Sequence, residues 1–340
     1  MPKIAILAID GCYLSCAAGF ADVLQVANVH LAHQQGPTCQ PFEWTFVSVP
    51  GGQMAASNGL PIATERIGTE PCFDVIMIPA MLYPGYKTFA ALLDRQHEIS
   101  GWLQEQWSGG AWIGANCTGT FLLAQSGLLD GRIATTTWWL DRPFRSRYPK
   151  VDLQYRSVLT EVDRLICAGA TASHTLQTLR IIDRLAGPTI ASQSARTMLI
   201  DVSHTGQIPY LPLLAEADHG DSVVARAQGW LQKNMARPVA MSELADAMAV
   251  SDRTLLRRFG AAIGQTPLEY LQSVRLQAAR GLLEAGDMRV QEIAVQVGYS
   301  DASSFSRLFR QEIGASPGAY RRRFRMTDDQ GPGSNAKGAG

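Results

Sequence analysis

The sequence predicts an α/β domain, a parallel sheet sandwiched between helices, followed by a smaller all-α domain. Three observations lead to this fold class. The chain has 340 residues, which exceeds one typical core and suits two domains. The first two hundred residues alternate short apolar runs with helical patterns, as in sheets whose parallel strands are joined by helices. Beyond residue 220 the apolar periodicity is helical throughout.

The elements of the first domain follow from these runs and patterns. Short apolar runs predict strands at residues 4–9, 44–49, 75–78, 111–113 and 165–168. Amphipathic patterns predict helices at residues 21–32, 89–106, 118–125 and 172–185. Because helices connect the strands, we expect the strands to run parallel.

A segment without regular periodicity separates the two domains. Residues 203–220, SHTGQIPYLPLLAEADHG, contain two prolines and two glycines, and the histidines His204 and His219 have no metal-like partners. Residues 326–340 lack the apolar content needed to fold, so we expect a disordered tail. The predicted organisation is a domain at 1–202, a linker at 203–220, a domain at 221–325 and a tail at 326–340.

The composition indicates a cytoplasmic protein with no membrane partner. Hydrophobic residues make up 46% and charged residues 18% of the chain, and no apolar run approaches the roughly 18 residues of a membrane helix. The N-terminus, MPKIAILAIDG, enters a strand pattern without a signal-peptide cleavage site. The six cysteines have neither zinc-ligand nor secreted-scaffold spacing, so we expect mostly buried thiols and no metal site.

Charge is divided unequally between the two parts of the chain. Residues 221–325 hold fifteen Lys and Arg against ten Asp and Glu, whereas residues 1–220 hold fourteen against eighteen. A basic third beside an acidic remainder indicates that a polyanionic partner binds the C-terminal domain.

Two helix-turn-helix patterns lie in this basic third. The first, SELADAMAVSDRTLLRRF (242–259), places apolar residues on facing sides of two short helices, and Ser251 is a suitable N-cap for the second helix. About fifty residues later, VQEIAVQVGYSDASSFSRLFRQEIG (290–314) repeats the arrangement with Gly298 at the turn. Two such units in one small domain are far more specific than one.

A long helix is predicted between the two units. Thr266, Pro267 and Glu269 form an N-cap, a first helical residue and the carboxylate of a capping box. A stiff connecting helix would hold the units at a fixed separation. At a separation of roughly 34 Å, both second helices could enter successive major grooves of double-stranded DNA.

Outward positions on the two second helices are the candidate DNA-binding residues. Arginine can bind guanine O6 and N7 bidentately, and serine suits phosphates or base edges. The alternative is that these side chains are merely solvated, and it weighs most for the serines. The candidates are Arg253, Leu256 and Arg257 in the first unit and Ser303, Ser306 and Arg307 in the second.

Residues 221–325 resemble the DNA-binding domain of AraC/XylS-family transcription regulators. The motifs that carry the resemblance are ELADAMAVSDRTLLRRF, PLEYLQSVRLQAARGLL, IAVQVGYSDASSFSRLFRQEIGASP and GAYRRRF. The resemblance implies that two helix-turn-helix units bind adjacent major-groove segments, and RNA polymerase is a further candidate partner.

The first domain carries one conspicuous turn, GANCTGTF, between a predicted strand and a predicted helix. Cys117 in this turn lies at the carboxyl end of a strand, where open α/β sheets bind ligands. A thiol in such a turn lies near backbone N–H groups and a helix N-terminus, so we expect its pKa to be lowered.

This region, ANCTGTFLLAQSGLLDGRIATTTWW, resembles the nucleophile elbow of class I glutamine-amidotransferase-like domains of the PfpI or ThiJ type, which have a flavodoxin-like fold. The resemblance extends from residue 4 through LICAGATASHTLQTLRIIDRLAG. Fusion of such a domain to an AraC-type domain resembles the GlxA-type regulators and implies a homodimeric sensor.

The resemblance departs from catalytic relatives at two positions. Relatives such as isonitrile hydratases have an acid in a pattern like LDLAGP and a histidine in ATTHW, where this chain has Cys16 in LSCAAGF and Thr137 in ATTTWW. We therefore expect no enzymatic activity, although Asp10 or Asp22 could replace the acid in another alignment. No phosphate loop or dinucleotide fingerprint occurs, so no cofactor is expected.

Four interpretations of Cys117 remain open at this point: a structural thiol, an effector-pocket residue, a catalytic nucleophile and a redox sensor that pairs with Cys16. We favour an effector pocket that controls DNA binding. His174 could also face it. A cysteine-dependent hydrolase or hydratase, and a domain that only dimerises, are the alternatives to sensing. The expected pocket residues are Cys117, Cys16, Asn116, Thr118, Thr137 and Trp138.

Overall fold

The computed structural model describes residues 2–36, 40–69, 72–202, 206–207 and 220–325. The chain divides into two compact units between residues 207 and 208. Most of the predicted linker, including His204 and His219, and the predicted tail at 326–340 lie outside the described residues.

The first unit contains an eight-stranded sheet with the strand order β3-β4-β2-β1-β5-β6-β10-β9. Its central strands are parallel, and only the edge strands β3 and β9 pair antiparallel with their neighbours. A parallel pair, β7 and β8, lies outside this sheet. The strands are β1 (Lys3–Leu7), β2 (Glu43–Ser48), β3 (Gly52–Ala55), β4 (Pro61–Arg66), β5 (Val75–Ile78), β6 (Trp112–Asn116), β7 (Ile133–Ala134), β8 (Asp152–Leu153), β9 (Leu159–Val162) and β10 (Leu165–Ala168).

Helices cover both faces of this sheet, so each face has its own core. Along β1, Ile4 and Ile6 enter one core while Ala5 and Leu7 enter the other, because successive side chains of a strand point to opposite faces. One face is covered by α1 (Leu14–Gln35), α6 (His174–Ala186) and α7 (Pro188–Thr197), and the other by α2 (Tyr86–Asp94), α3 (His97–Ser108), α4 (Gly119–Gln125) and α5 (Asp141–Arg147).

By length and composition, α1 is apolar enough to cross a membrane. Its apolar residues, such as Phe20, Val23 and Leu24, are instead buried against the sheet. It is therefore a core helix of the first unit.

The structure corrects the expectation of one helix at residues 89–106. Two helices occupy this stretch, α2 and α3, and Arg95 and Gln96 separate them. Leu93 and Ile99 both enter the core, but six residues are about 1.7 turns, so a continuous helix would point them in different directions.

The second unit consists of seven helices in its described part. They form two separate cores, and the long helix α11 contributes to both. The helices are α8 (Ser222–Asn234), α9 (Met241–Ala247), α10 (Asp252–Ile263), α11 (Pro267–Ala285), α12 (Val290–Gln296), α13 (Ala302–Ile313) and α14 (Pro317–Phe324).

Candidate DNA-binding surface and the Cys117 turn

The first helix-turn-helix unit is formed by α9 and α10. Leu244 and Ala245 of α9 pack with Leu255 and Phe259 of α10 in one core. Between the helices, Ala249 adopts a positive φ of 57°, which turns the chain sharply at some steric cost. Ser251 caps α10 by accepting a 3.3 Å hydrogen bond from the Thr254 backbone N–H, as the sequence predicts.

The second helix-turn-helix unit, formed by α12 and α13, repeats this construction. Gly298, with a φ of 90°, occupies the turn that Ala249 makes in the first unit. Asp301 caps α13 by accepting hydrogen bonds from the backbone N–H groups of Ser303 at 3.0 Å and Ser304 at 2.7 Å. These caps begin the two second helices fifty residues apart in the chain.

The candidate DNA-binding residues lie on the outward faces of α10 and α13. Arg253, Arg257, Ser303 and Arg307 are exposed, Leu256 is 50% exposed, and Ser306 is half-buried. Arg257 and Arg307 are each the sixth residue of their helix. Within the described part of the chain neither forms an ion pair, whereas the adjacent Arg258 donates to Asp221 at 2.8 Å. Both guanidinium groups are therefore free to bind an external anion or base edge.

The charge on the Asp301 cap gives a testable pH dependence. Hydrogen bonds from the Ser304 side chain and backbone, and from the Ser303 backbone, lower the pKa of Asp301 from 3.8 to about 2. Because the folded pKa is below the unfolded one, the stabilisation is complete above about pH 4 and is lost as the pH falls toward 2. We expect wild type to unfold at higher urea than Asp301→Asn at pH 6, and this difference to shrink below pH 4. A constant difference would contradict the charge effect.

Cys117 lies in a strained turn between β6 and α4. Its φ is 54°, a conformation that non-glycine residues rarely adopt. Its backbone N–H donates to Ala168 O at 2.7 Å, and its carbonyl accepts from Thr136 Oγ1 at 2.7 Å. A Cβ on Gly119 would lie 2.6 Å from Pro79 O, so the turn requires glycine there.

Several of the expected pocket residues meet at this turn. Cys16 Sγ donates to Asn116 Oδ1 at 3.3 Å, and both side chains are buried. The Thr118 hydroxyl bonds the Met81 backbone N at 2.6 Å and O at 2.7 Å. The structure therefore brings Cys16, Asn116 and Thr118 together beside Cys117, and their polar groups are already hydrogen-bonded within the protein.

The expected lowering of the Cys117 pKa is wrong. Only 4% of this residue is exposed. Burial raises the pKa of the thiol and outweighs the opposing hydrogen bonds, the first from Thr171 Oγ1 at 3.6 Å, then those from Thr118 and Thr137. Burial likewise raises the pKa of Cys16, and the nearby Cys117 adds to this effect.

The other aromatic and acid–base residues of the first domain make contacts of their own. Trp138 is half-buried, whereas Trp139 is 45% exposed and packs edge-on against Tyr83 at 5.2 Å between ring centroids. His174 Nδ1 lies 2.8 Å from Thr171 O, and burial lowers the pKa of this histidine. Asp10 Oδ1 accepts from the Ala55 backbone N–H at 3.1 Å.

In the described part of the chain, the groups that hydrogen-bond the Cys117 thiol belong to Thr171, Thr118 and Thr137. No histidine or carboxylate is among them, so none of these partners is a general base.

This environment predicts an unreactive thiol at neutral pH. With iodoacetamide at pH 7.4 we expect Cys117 to react at least about 100-fold more slowly than the exposed Cys72, because only thiolates attack and burial limits access. Peptide mass spectrometry over a time course measures both rates in one sample. Urea should abolish the difference. Equal rates in native protein would contradict the raised pKa.

Sequence reasoning missed three residues near this turn. Thr171 reaches the sulfur, Thr136 holds the Cys117 carbonyl, and Gln207 Nε2 lies 2.9 Å from Thr136 O and 3.0 Å from Tyr155 O. Thr136 and Thr171 lie within the segments ATTTWW and LICAGATASHTL, but an uncharged threonine in a segment does not indicate which atom it binds. Gln207 lies in the stretch predicted as a linker.

The geometry of the C-terminal compact unit, which contains both helix-turn-helix units, defines a class of protein. Two capped helices, each preceded by a short helix and a tight turn, form a double helix-turn-helix DNA-binding domain. Each exposes an arginine that has no ion-pair partner among the described residues.

Comparison with known proteins identifies the relatives. A helix-turn-helix domain family matches residues 244–323. The HTH-type transcriptional regulator CdhR of Pseudomonas aeruginosa is 29% identical over 280 residues, which cover 81% of this chain and 80% of that protein. A candidate AraC-like transcription regulator of Streptomyces lividans is 38% identical over 140 residues, 41% of this chain and 46% of that protein. The chain is a DNA-binding transcription regulator that carries a helix-turn-helix domain at residues 244–323.

A solved structure agrees with the fold of the first unit. The crystal structure of a candidate transcriptional regulator protein from Vibrio parahaemolyticus aligns with a TM-score of 0.51 at 18% identity, over 58% of this chain and 98% of that one. The predicted α/β fold with a mainly parallel sheet is thereby confirmed.

Proposed function

We propose that α10 and α13 enter two successive major-groove segments of one operator, with Arg257 and Arg307 each binding a guanine. The observation that carries this proposal is the equivalence of these arginines: both are exposed, both lack an ion-pair partner among the described residues, and both occupy the sixth position of a capped helix. Arg253, Leu256, Ser303 and Ser306 complete the two surfaces through phosphates or base edges.

Selection of genomic fragments tests this proposal. Purified protein is mixed with fragmented genomic DNA at moderate salt, and the bound fragments are sequenced and footprinted. We expect two protected half-sites about one helical turn apart on the same face of the duplex. Protection of a single half-site, or no preference for any fragment, would contradict two-groove binding.

We further propose that the N-terminal compact unit, residues 1–207, is a non-catalytic sensor. The raised pKa of Cys117 and the thiol's threonine environment support a binding role over nucleophilic catalysis. The small-molecule effector would contact the cluster of Cys117, Cys16, Asn116, Thr118, Thr137 and Trp138. A cavity of about 440 Å³ beside Ile9 and Asp10, at the carboxyl ends of β1 and β2, offers additional volume near this edge of the sheet.

A buried hydrogen-bonded path joins this cluster to Gln207, the last described residue of the first compact unit, and this path supports coupling. Thr136 Oγ1 donates to the Cys117 carbonyl, and Gln207 Nε2 donates to the Thr136 carbonyl. Gln207 immediately precedes the segment that leads to the DNA-binding unit. An effector that shifts the Cys117 turn would alter this anchor and the pairing of two cytoplasmic protomers, and thereby the spacing of their DNA-binding units, with RNA polymerase as a further partner.

A thermal-shift screen with small nitrogenous metabolites tests the sensor role, since a ligand raises apparent stability by mass action. We expect at least one compound to stabilise the protein and to change its affinity for a selected fragment. In Gln207→Ala the compound should still stabilise the protein but change DNA affinity less. Unchanged DNA affinity and oligomeric state with every stabilising compound would contradict sensing.

A further inference from the structure

The two helix-turn-helix units have separate apolar cores, so their relative orientation depends on what joins them. Helix α11 places Leu271 and Val274 in the core of the first helix-turn-helix unit, and Leu276 and Ala279 in the core of the second helix-turn-helix unit. Arg275 lies between these two sets, where the helix passes from one core to the other.

Arg275 contacts both units at once. Its Nε donates to Met235 O at 2.8 Å, and its Nη2 donates to Arg237 O at 2.8 Å, in the segment that joins α8 to α9. On its other side the guanidinium carbon lies 5.4 Å from the centre of the Tyr299 ring, in the turn of the second unit. Burial lowers the pKa of Arg275, which indicates that these contacts are partly shielded from water.

Gly298, in the turn of the second helix-turn-helix unit, also lies directly against the segment that joins α8 to α9. A Cβ on Gly298 would lie 2.3 Å from Met235 O and 2.9 Å from Arg275 Nη2. Only glycine allows this approach, and its positive φ of 90° also favours glycine.

Both ends of this contact are connected to DNA-facing elements. Arg237 donates to Glu243 of α9 at 2.5 Å and 3.0 Å, which ties the 235–237 segment to the first helix-turn-helix unit. Tyr299 packs against Phe305 of α13 with ring centroids 5.5 Å apart. The chain of contacts therefore runs from α9 through Arg275 to the second recognition helix.

We propose that Arg275 is a positioning residue that fixes the orientation of α13 relative to α10 and so sets the half-site spacing that one chain accepts. The inference rests on the proposed two-groove binding. The planar guanidinium can donate to two carbonyls and stack on a ring at the same time, which a lysine ammonium cannot do. A fixed orientation raises the effective concentration of the second helix once the first is bound.

The test compares wild type with Arg275→Met and Arg275→Lys on three duplexes derived from a fragment selected by wild type. One duplex carries both half-sites, one has the second half-site scrambled, and one has a single base pair inserted between them. We expect both variants to lose about tenfold or more in affinity on the intact duplex and under about twofold on the scrambled one. They should also discriminate less against the insertion.

Arg280→Lys is the matched control, because Arg280 is on the same helix and its Nε donates to Tyr320 Oη at 2.7 Å within the second unit. We expect it to lower the melting temperature while leaving the ratio of intact to scrambled affinity at the wild-type value. A wild-type ratio of intact to scrambled affinity in both Arg275 variants overturns the proposal. If that ratio is unchanged because affinity falls equally on both duplexes, Arg275 has a folding role instead. A wild type that gains nothing from the second half-site overturns the two-groove function itself.

Discussion

Replacing Arg257 and Arg307 together by alanine is expected to lower affinity for a selected operator fragment by about 100-fold or more, with the fold intact. A bidentate arginine–guanine pair contributes about 1–3 kcal/mol of discrimination, and about 1.4 kcal/mol is a factor of ten in affinity. Both residues are exposed and lie outside the two cores, so their removal leaves packing unchanged. Fluorescence anisotropy at constant salt measures the loss.

A charge-matched control separates base recognition from general electrostatics. Arg66→Ala combined with Arg142→Ala removes two exposed arginines from the N-terminal compact unit, and we expect less than about a twofold effect because these residues lie outside the helix-turn-helix domain. A random duplex should show that the Arg257 and Arg307 substitutions weaken non-specific binding much less than operator binding. Full retention of operator preference in the double variant would contradict their role.

The DNA-binding domain was predictable because its signals are local. The positions that build each unit repeat along the chain, so Leu255 and Phe259 of the first correspond to buried Phe305 and Phe309 of the second. Capping residues mark the helix starts independently of tertiary contacts. Core pattern and caps thus agree, and together they determine which side of each recognition helix faces outward.

The N-terminal compact unit, which contains the sheet, was less predictable at its edges and turns. The central strands β5 and β10 are continuous apolar runs, buried on both faces, and have the predicted bounds. The edge strand β3 and its neighbour β4 carry mostly exposed side chains, and a short sequence pattern of that kind does not differ from that of a loop. Partners across the sheet, rather than residues within the strand, hold these edges in place.

The Cys117 turn shows a different limit. Sequence identifies the strand–turn–helix context, but the pKa of the thiol depends first on burial by residues from distant parts of the chain. This burial raises the pKa and outweighs the hydrogen bonds from Thr171, Thr118 and Thr137, which lower it. Arg275 is a similar case, because a basic residue on a helix is usually solvated, and its acceptors are backbone carbonyls without a sequence signature. Residues whose role depends on distant backbone atoms are therefore those that the sequence does not reveal.

A cavity in one of the two helical cores should destabilise the helix-turn-helix unit that contains it and leave the other helix-turn-helix unit folded. Phe309→Ala removes a fully buried ring that packs on Phe305 and Tyr320, and we expect a cost of about 3–5 kcal/mol. Phe259→Ala is the equivalent change in the first helix-turn-helix unit, which has a separate core. Leu256→Ala, at a half-exposed site, should cost less than about 0.5 kcal/mol.

Hydrogen exchange resolves the two helix-turn-helix units within the intact chain, whereas a single unfolding midpoint does not say which of them has been destabilised. In Phe309→Ala the amides of α12 and α13 should lose protection while those of α9 and α10 keep it, and Phe259→Ala should give the reverse pattern. Operator affinity should fall in both variants, because each loses one recognition helix from a two-groove contact. Equal loss of protection in both units would show that α11 couples the cores into one cooperative domain, contrary to the separate clusters observed.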